Sequence, residues 1–156
     1  MRGKRAPKRD IVPDSIYHSP LVAKLVTYIM RDGKKLTAER IVYGAFDIIK
    51  EKTNRSPTEV YEAAIKNVSP VLEIRSKRVG GANYQVPIPV RAERRLSLAL
   101  RWVIGAAQSK KGRPMAARLA DELIAASQGE GEAVKKRQDV QRMAEANRAF
   151  AHFARF

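Results

Sequence analysis

Residues 75–90, RSKRVGGANYQVPIPV, decide the fold because apolar residues recur at every second position around a double glycine. Before Gly80–Gly81 the alternation begins with two apolar residues, Leu72 and Ile74. After the glycines every even position is apolar: Tyr84, Val86, Ile88 and Val90. A period of two on both sides of a glycine-rich turn is typical of a β-hairpin. The sequence therefore predicts a two-stranded hairpin over residues 72–90.

Two prolines in the returning strand, Pro87 and Pro89, predict that it is an edge strand, because neither can donate a hydrogen bond to a neighbour. An isolated two-stranded hairpin is only marginally stable in water. The hairpin therefore needs a helical body, a ligand or both to hold its shape.

Outside the hairpin, apolar residues recur at helical spacing in six segments. Their apolar stripes begin at Leu21, Ile41, Val60, Leu96, Leu119 and Val140. Ser19–Pro20 and Ser56–Pro57 are typical helix starts, with a cap residue followed by proline at the first helical position. Glu59 stands three residues after Ser56, which predicts a capping box.

The predicted fold is mainly α: a six-helix bundle with one protruding two-stranded β-hairpin between helices 3 and 4. The sequence has no repeat of fixed period, no linker and no abrupt change in composition, so we expect a single domain over residues 1–156. Within it we expect a basic N-terminal arm at 1–10, the hairpin arm at 72–90 and a C-terminal helix at 133–156.

Charge is the dominant feature of the composition: 31 Lys and Arg stand against 16 Asp and Glu, a net charge of +15. Such a chain favours polyanionic partners, because neutralising phosphates releases condensed counterions. A membrane is not expected as a partner, since no stretch reaches the roughly 18–20 apolar residues that a span needs. The N-terminus also lacks the apolar segment of a secretory signal. The absence of cysteine excludes disulfides, thiolate metal sites and a cysteine nucleophile, and it fits a cytoplasmic protein.

The positive charges form clusters that flank the ends of predicted elements, where side chains and free backbone amides can both reach phosphates. The clusters are Arg2–Arg9, Lys34–Lys35, Arg75–Arg78, Arg91–Arg95, Lys110–Arg118 and Lys135–Arg137. The last of them fits a solvated helix face as well as a binding site. The arginines at the start of the fourth helix oppose the helix macrodipole, so helix stability does not explain them.

No group of residues has the pattern of an active site. His18 and His152 lie near opposite ends of the sequence without ligand-spaced partners. Asp121 and Glu122 are adjacent on a helix and project about 100° apart, which does not suit an acid–base pair. Gly80–Gly81 lacks the lysine and hydroxyl of a Walker motif. We therefore expect a binding protein rather than an enzyme, with no catalytic residues, metal or cofactor.

The residues themselves leave the kind of nucleic acid open. A ribbon that carries Arg75, Lys77 and Arg78 can enter a groove or lie along a backbone. A helical body with a basic β-arm suits a DNA-bending architectural protein, and it equally suits a clamp on structured RNA. Tyr84 offers a ring for stacking on a base, although its shared parity with Val86 favours packing within the protein.

Four segments carry a more specific signal: MRDGKK (30–35), RSKRVGGANYQVP (75–87), SLALRW (97–102) and AVKKRQDVQRMAEANRAFAHF (133–153). Together they resemble the seventh family of bacterial small-subunit ribosomal proteins. The similarity covers nearly the whole chain in the right order, and the hairpin segment is highly specific. The resemblance implies the family fold, a six-helix bundle with an extended hairpin between the third and fourth helices.

The resemblance also implies a function. The chain would be a structural constituent of the small ribosomal subunit, in the cytoplasm. It would bind the 3′ major domain of small-subunit rRNA and nucleate assembly of the subunit head. Its place would be at the subunit interface, near exit-site tRNA and the mRNA exit path. The neighbouring small-subunit protein of the eleventh family would touch its C-terminal region.

Carried over by position, the resemblance implies two sets of contact residues. The rRNA-binding set is Arg2, Lys4, Arg5, Lys8, Arg9, Lys34, Lys35, Arg75, Lys77, Arg78, Arg94, Arg95, Lys110, Lys111, Arg113 and Met115. The tRNA-binding set is Gly80, Gly81, Asn83, Tyr84, Arg142 and Arg148.

Overall fold

The computed structural model describes Gly3, Ala6 and residues 11–155. In this part of the chain six α-helices, two strands and a final 3₁₀ helix follow one another. They are α1 (Pro20–Ile29), α2 (Lys35–Thr53), α3 (Pro57–Val68), β1 (Leu72–Val79), β2 (Ala82–Pro89), α4 (Ala92–Ser109), α5 (Met115–Ser127), α6 (Glu132–Ala146) and the 3₁₀ helix Arg148–Arg155. This order confirms the predicted six-helix bundle with a hairpin between the third and fourth helices.

One hydrophobic core joins the helices. Its largest fully buried apolar side chains come from five helices: Leu25, Phe46, Ile49, Tyr61, Leu100, Leu119 and Leu123. The Tyr61 hydroxyl donates to the backbone oxygen of Leu21 at 3.0 Å, so burying this ring leaves no unsatisfied polar atom. Helix α6 buries only small or short residues, namely Ala133, Val134 and Ala144. Most of its surface therefore remains polar and accessible.

The prolines begin the helices where the sequence predicts, but the capping box at α3 is wrong. Pro20 and Pro57 are the first residues of α1 and α3. The Ser56 hydroxyl makes no bond to the helix backbone and lies 2.7 Å from the Thr58 hydroxyl instead. Because the two hydroxyls satisfy each other, the reciprocal bonds of a capping box with Glu59 do not form.

The hairpin closes through the two-residue loop Gly80–Gly81, since Val79 pairs with Ala82 across the antiparallel ladder. The φ angles of the two glycines are 58° and 90°. A two-residue hairpin loop with positive φ at both positions matches the twist of the strands and strongly favours glycine. The double glycine therefore sets the register of the whole arm.

The hairpin lies against the C-terminal part of the chain. Tyr84 of β2 packs on Phe150 and Phe153, with ring centroids 5.2 and 5.1 Å apart. At the base of the arm the Val90 N–H donates to the Val71 oxygen at 3.0 Å. These contacts supply the support that a two-stranded hairpin needs.

The C-terminal helix ends earlier than the sequence predicts. Helix α6 stops at Ala146, and Arg148–Arg155 continue as a 3₁₀ helix. Side chains three residues apart eclipse in a 3₁₀ helix. The tighter winding therefore brings Phe150 and Phe153 to the same side, where both meet Tyr84. The prediction of one α-helix from Ala133 to the end of the chain is wrong over this last segment.

Among the helices described above, none is long and apolar enough to cross a bilayer.

Candidate nucleic-acid interface

The three cations of strand β1 do not form one row. Arg75 and Lys77 are two positions apart and share a face of the hairpin, whereas Arg78 points to the other face. The side chain of Arg75 is 58% exposed, and Arg78 is exposed near the tip. The Lys77 ammonium donates to the backbone oxygen of Phe153 at 3.2 Å, which ties β1 to the 3₁₀ helix. The hairpin therefore offers positive charge on both faces.

A buried carboxylate joins the base of the hairpin to the start of helix α4. Glu73 is only 8% exposed and lies between two arginines. Arg75 donates from Nε to Glu73 Oε1 at 2.7 Å, and its Nη2 also contacts this oxygen. Arg94 donates from Nε to Glu73 Oε2 at 3.1 Å. We call Glu73, Arg75 and Arg94 the hairpin–α4 junction.

The electrostatics of this junction favour the charged carboxylate. Burial by itself raises the pKa of Glu73, because it removes water from the anion. The hydrogen bonds and charges of Arg94 and Arg75 outweigh that effect and hold the pKa below its ordinary value. Glu73 is therefore ionised at neutral pH, and the junction carries a net positive charge.

Two further arginines stand at the start of helix α4, and neither forms an ion pair with a carboxylate of the described residues. Arg91 is the N-cap residue and is exposed. Arg95 is half-buried, and its buried Nε has no hydrogen-bond partner among the described residues. Positive charge in the first turn opposes the helix dipole, so these side chains suit an external anion better than the helix itself.

The loop between α4 and α5 is held from inside by carboxylates. The Lys110 ammonium lies 2.6 Å from Oε2 of Glu122, which is 0% exposed. Arg113 lies 3.2 Å from Asp121, whose other oxygen is 2.6 Å from Lys52. These contacts fix the path of the loop.

Lys111 of the same loop faces outward without an internal partner among the described residues. Lys111 is exposed, and it makes no hydrogen bond or ion pair with another described residue. Arg118 supports the loop backbone by donating to the Lys110 oxygen, and it also donates at 3.2 Å to the Gln108 oxygen in the last turn of α4. Met115 opens α5 and packs partly buried against the core, so only part of its side chain faces outward.

Lys34 and Lys35 stand at the start of α2. Lys34 is the N-cap residue, and Lys35 lies 3.4 Å from Glu39 one turn along the helix. Both side chains are exposed beside the free amides of the first turn. This arrangement suits an oxyanion such as a phosphate.

The residues predicted to touch tRNA lie at two places. Gly80, Gly81 and Asn83 are exposed at the hairpin tip. Tyr84 is half-buried against two phenylalanines, so its ring packs within the protein. This packing agrees with its position on the same face of the strand as Val86. The other two residues, Arg142 in α6 and Arg148 in the 3₁₀ helix, are exposed on the C-terminal segment.

The burial of Glu73 and Glu122, two carboxylates that pair with cations of the candidate interface, was not predicted from the sequence. Glu122 accepts a hydrogen bond from the Ala133 N–H at 2.9 Å and so caps helix α6. A signal was available in each case. Glu122 lies one helical turn after Leu119 on the buried side of α5, and Glu73 lies two strand positions before Arg75 on the same face.

Five of the predicted rRNA contacts, Arg2, Lys4, Arg5, Lys8 and Arg9, lie outside the described residues. In the part of the chain that the structure describes, no group of three or more His, Asp or Glu side chains could hold a metal ion.

Comparison with known proteins decides the family. The model of the ribosomal protein S7p/S5e family matches residues 1–148 of the chain. The chain belongs to this family. A relative from Thermotoga maritima, small ribosomal subunit protein uS7, is 60% identical over 98% of this chain and 99% of its own. A relative of the same name from Carboxydothermus hydrogenoformans is 60% identical over 94% of this chain and 94% of its own. Another, from Kosmotoga olearia, is 56% identical over 98% of this chain and 99% of its own.

Membership of the S7p/S5e family confirms the resemblance on which the sequence prediction rests. The chain is an RNA-binding structural constituent of the small ribosomal subunit in the cytoplasm, and it is not an enzyme. Its partners are small-subunit rRNA and neighbouring ribosomal proteins. The alternative of a DNA-bending architectural protein does not fit this family.

Proposed function

We propose that this chain binds the 3′ major domain of small-subunit rRNA directly and nucleates assembly of the subunit head. The observation that carries the proposal is the hairpin–α4 junction. There one buried carboxylate holds an arginine of the arm and an arginine of the helical body together. A protein that fixes cations from separate elements can bridge separate RNA helices, which a flexible basic tail cannot do.

Residues 1–156 would act as a single rRNA-binding domain. The contacts would come from the N-terminal arm, the start of α2, the hairpin, the start of α4 and the loop before α5. Their residues are Arg2, Lys4, Arg5, Lys8, Arg9, Lys34, Lys35, Arg75, Lys77, Arg78, Arg94, Arg95, Lys110, Lys111, Arg113 and Met115. The exposure of Lys34, Arg78 and Lys111 supports this assignment.

The proposal extends to the subunit interface. The hairpin tip and the C-terminal segment would lie near exit-site tRNA and the mRNA exit path, with contacts from Gly80, Gly81, Asn83, Tyr84, Arg142 and Arg148. Packing of Tyr84 on Phe150 supports it, because this packing brings the two regions side by side. The small-subunit protein of the eleventh family would meet the C-terminal region.

Footprinting of small-subunit rRNA with the purified protein tests this proposal. Protection from hydroxyl radicals should fall on backbone positions of the 3′ major domain, in patches on more than one RNA helix. Protection should be absent from the other domains of the rRNA. A footprint spread evenly over the whole rRNA would contradict the proposal, since it would indicate binding by charge alone.

A further inference from the structure

Glu73 is a buried acidic residue between two arginines of the candidate interface. A carboxylate repels a polyanion, so Glu73 does not bind the RNA itself. Its carboxylate is buried, and both oxygens are used by arginines of the hairpin–α4 junction. Glu73 and Arg75 lie on β1, whereas Arg94 lies in the first turn of α4. Replacing Glu73 thus loosens a link between the arm and the helical body.

The carboxylate occupies only one edge of each guanidinium. Arg75 uses Nε and Nη2, and Arg94 uses Nε. A guanidinium carries five N–H donors in a rigid fork, so most donors of both arginines are not taken by Glu73. The two side chains are 58% and 44% exposed, so these donors are accessible to an anion from outside.

Glu73 also fixes how far apart the two forks lie. Two guanidinium groups at one site repel each other, and without an anion between them they would turn apart into solvent. A carboxylate bonded to both holds them at one spacing and in one orientation. Pre-arranged forks lose less conformational entropy on binding than free side chains do.

We propose that Glu73 is a positioning residue for RNA recognition, which sets Arg75 and Arg94 at the spacing of two phosphates in folded rRNA. This inference rests on the proposed function and adds a source of selectivity to it. A bidentate fork recognises a phosphate by direction as well as by charge. A pair of forks at one fixed spacing therefore distinguishes a folded RNA from a polyanion of different shape.

The test compares Glu73→Gln, which keeps the shape of the side chain and removes its charge, with wild-type protein. Glu51→Gln is the matched control, because Glu51 is exposed on α2 and makes no ion pair with a described residue. Dissociation constants are measured at one salt concentration for two probes. The probes are a transcript of the 3′ major domain and a random-sequence RNA duplex of equal length.

Glu73→Gln is expected to lose about ten-fold or more of its affinity for the transcript, the effect of one misplaced charge-assisted contact. Its affinity for the duplex should stay the same or rise, because the chain becomes more positive. Glu51→Gln should shift both affinities together and keep their ratio. Glu73→Asp retains the charge but is one methylene shorter, so it cannot bond both arginines and should also lose the preference.

The inference would be overturned if Glu73→Gln changed the affinity for the transcript and the affinity for the duplex by the same factor. A parallel gain in Glu73→Gln would mean that Glu73 only neutralises its neighbours, and a parallel loss would mean that it only supports the fold. Where Glu73→Gln fails to fold by circular dichroism, Glu73→Asp decides, and an unchanged preference in that variant would also overturn it. A wild-type protein without preference for the transcript would refute the proposed function as well. Wild-type preference retained in Glu73→Gln would refute the positioning role alone.

Discussion

Lys110→Ala is expected to destabilise the fold by about 3 kcal/mol, whereas Lys111→Ala should change the free energy of unfolding by less than about 0.5 kcal/mol. The two variants remove the same charge from adjacent positions of one loop. Lys110, however, pairs with Glu122 at 2.6 Å, and Glu122 is completely buried. Alanine at position 110 leaves that carboxylate with the Ala133 N–H as its remaining described contact. The effect stays at the low end of the range for buried pairs because Lys110 is itself 37% exposed.

Urea unfolding followed by circular dichroism at 222 nm measures both variants against wild type. A lower midpoint with an unchanged slope for Lys110→Ala would show that the folded state itself has lost stability. Equal midpoints for the two variants would contradict the internal role of Lys110. Lys110 would then have a role in rRNA binding alone.

Replacing Arg75, Lys77 and Arg78 together by alanine is expected to weaken binding to the 3′ major-domain transcript by about 10²–10³-fold near 0.1 M salt. Each cation that neutralises a phosphate contributes about one unit to the slope of log affinity against log salt. The slope should therefore fall by about two to three units. The helical circular dichroism signal should be retained, because the hydrophobic core is built from helix residues and Arg94 still pairs with the buried Glu73.

A second triple variant, Lys50, Arg55 and Lys66 to alanine, removes the same charge from exposed positions that no prediction assigns to RNA. It should lose far less affinity than the hairpin variant. Equal losses would mean that only the total charge matters and would contradict a specific role of the hairpin. Loss of the helical signal in the hairpin variant would instead make the three cations structural.

The hairpin could be predicted closely because its determinants are local. The alternation of Tyr84, Val86 and Ile88 specifies the strand, and the Gly80–Gly81 pair specifies a turn with positive φ at both positions. The helices are equally readable, since their periodic stripes and starting prolines act within one or two turns. The 3₁₀ ending is different. It depends on the packing of Phe150 and Phe153 against Tyr84, which is distant in the sequence.

The positive clusters of the candidate interface could also be predicted. Whether each cation is paired with a buried carboxylate or exposed to solvent could not. Arg94 and Lys110 look like other surface cations in the sequence. In the fold each meets a buried carboxylate many residues away: Glu73 for Arg94, and Glu122 for Lys110. Pairing of this kind is fixed by how strands and helices pack, and charge runs alone do not reveal it. Lys111 and Arg78 stay exposed, as a binding role requires.

We propose that these cations are arranged for folded rRNA rather than for any polyanion. Competition binding at physiological salt tests it, with labelled 3′ major-domain transcript displaced by unlabelled transcript, random RNA duplex, duplex DNA or heparin. We predict that unlabelled transcript displaces the probe at concentrations about 10³-fold lower than the duplexes do, as expected for specific binding. Displacement by all four competitors at the same phosphate or sulfate concentration would contradict a specific arrangement of the cations for rRNA.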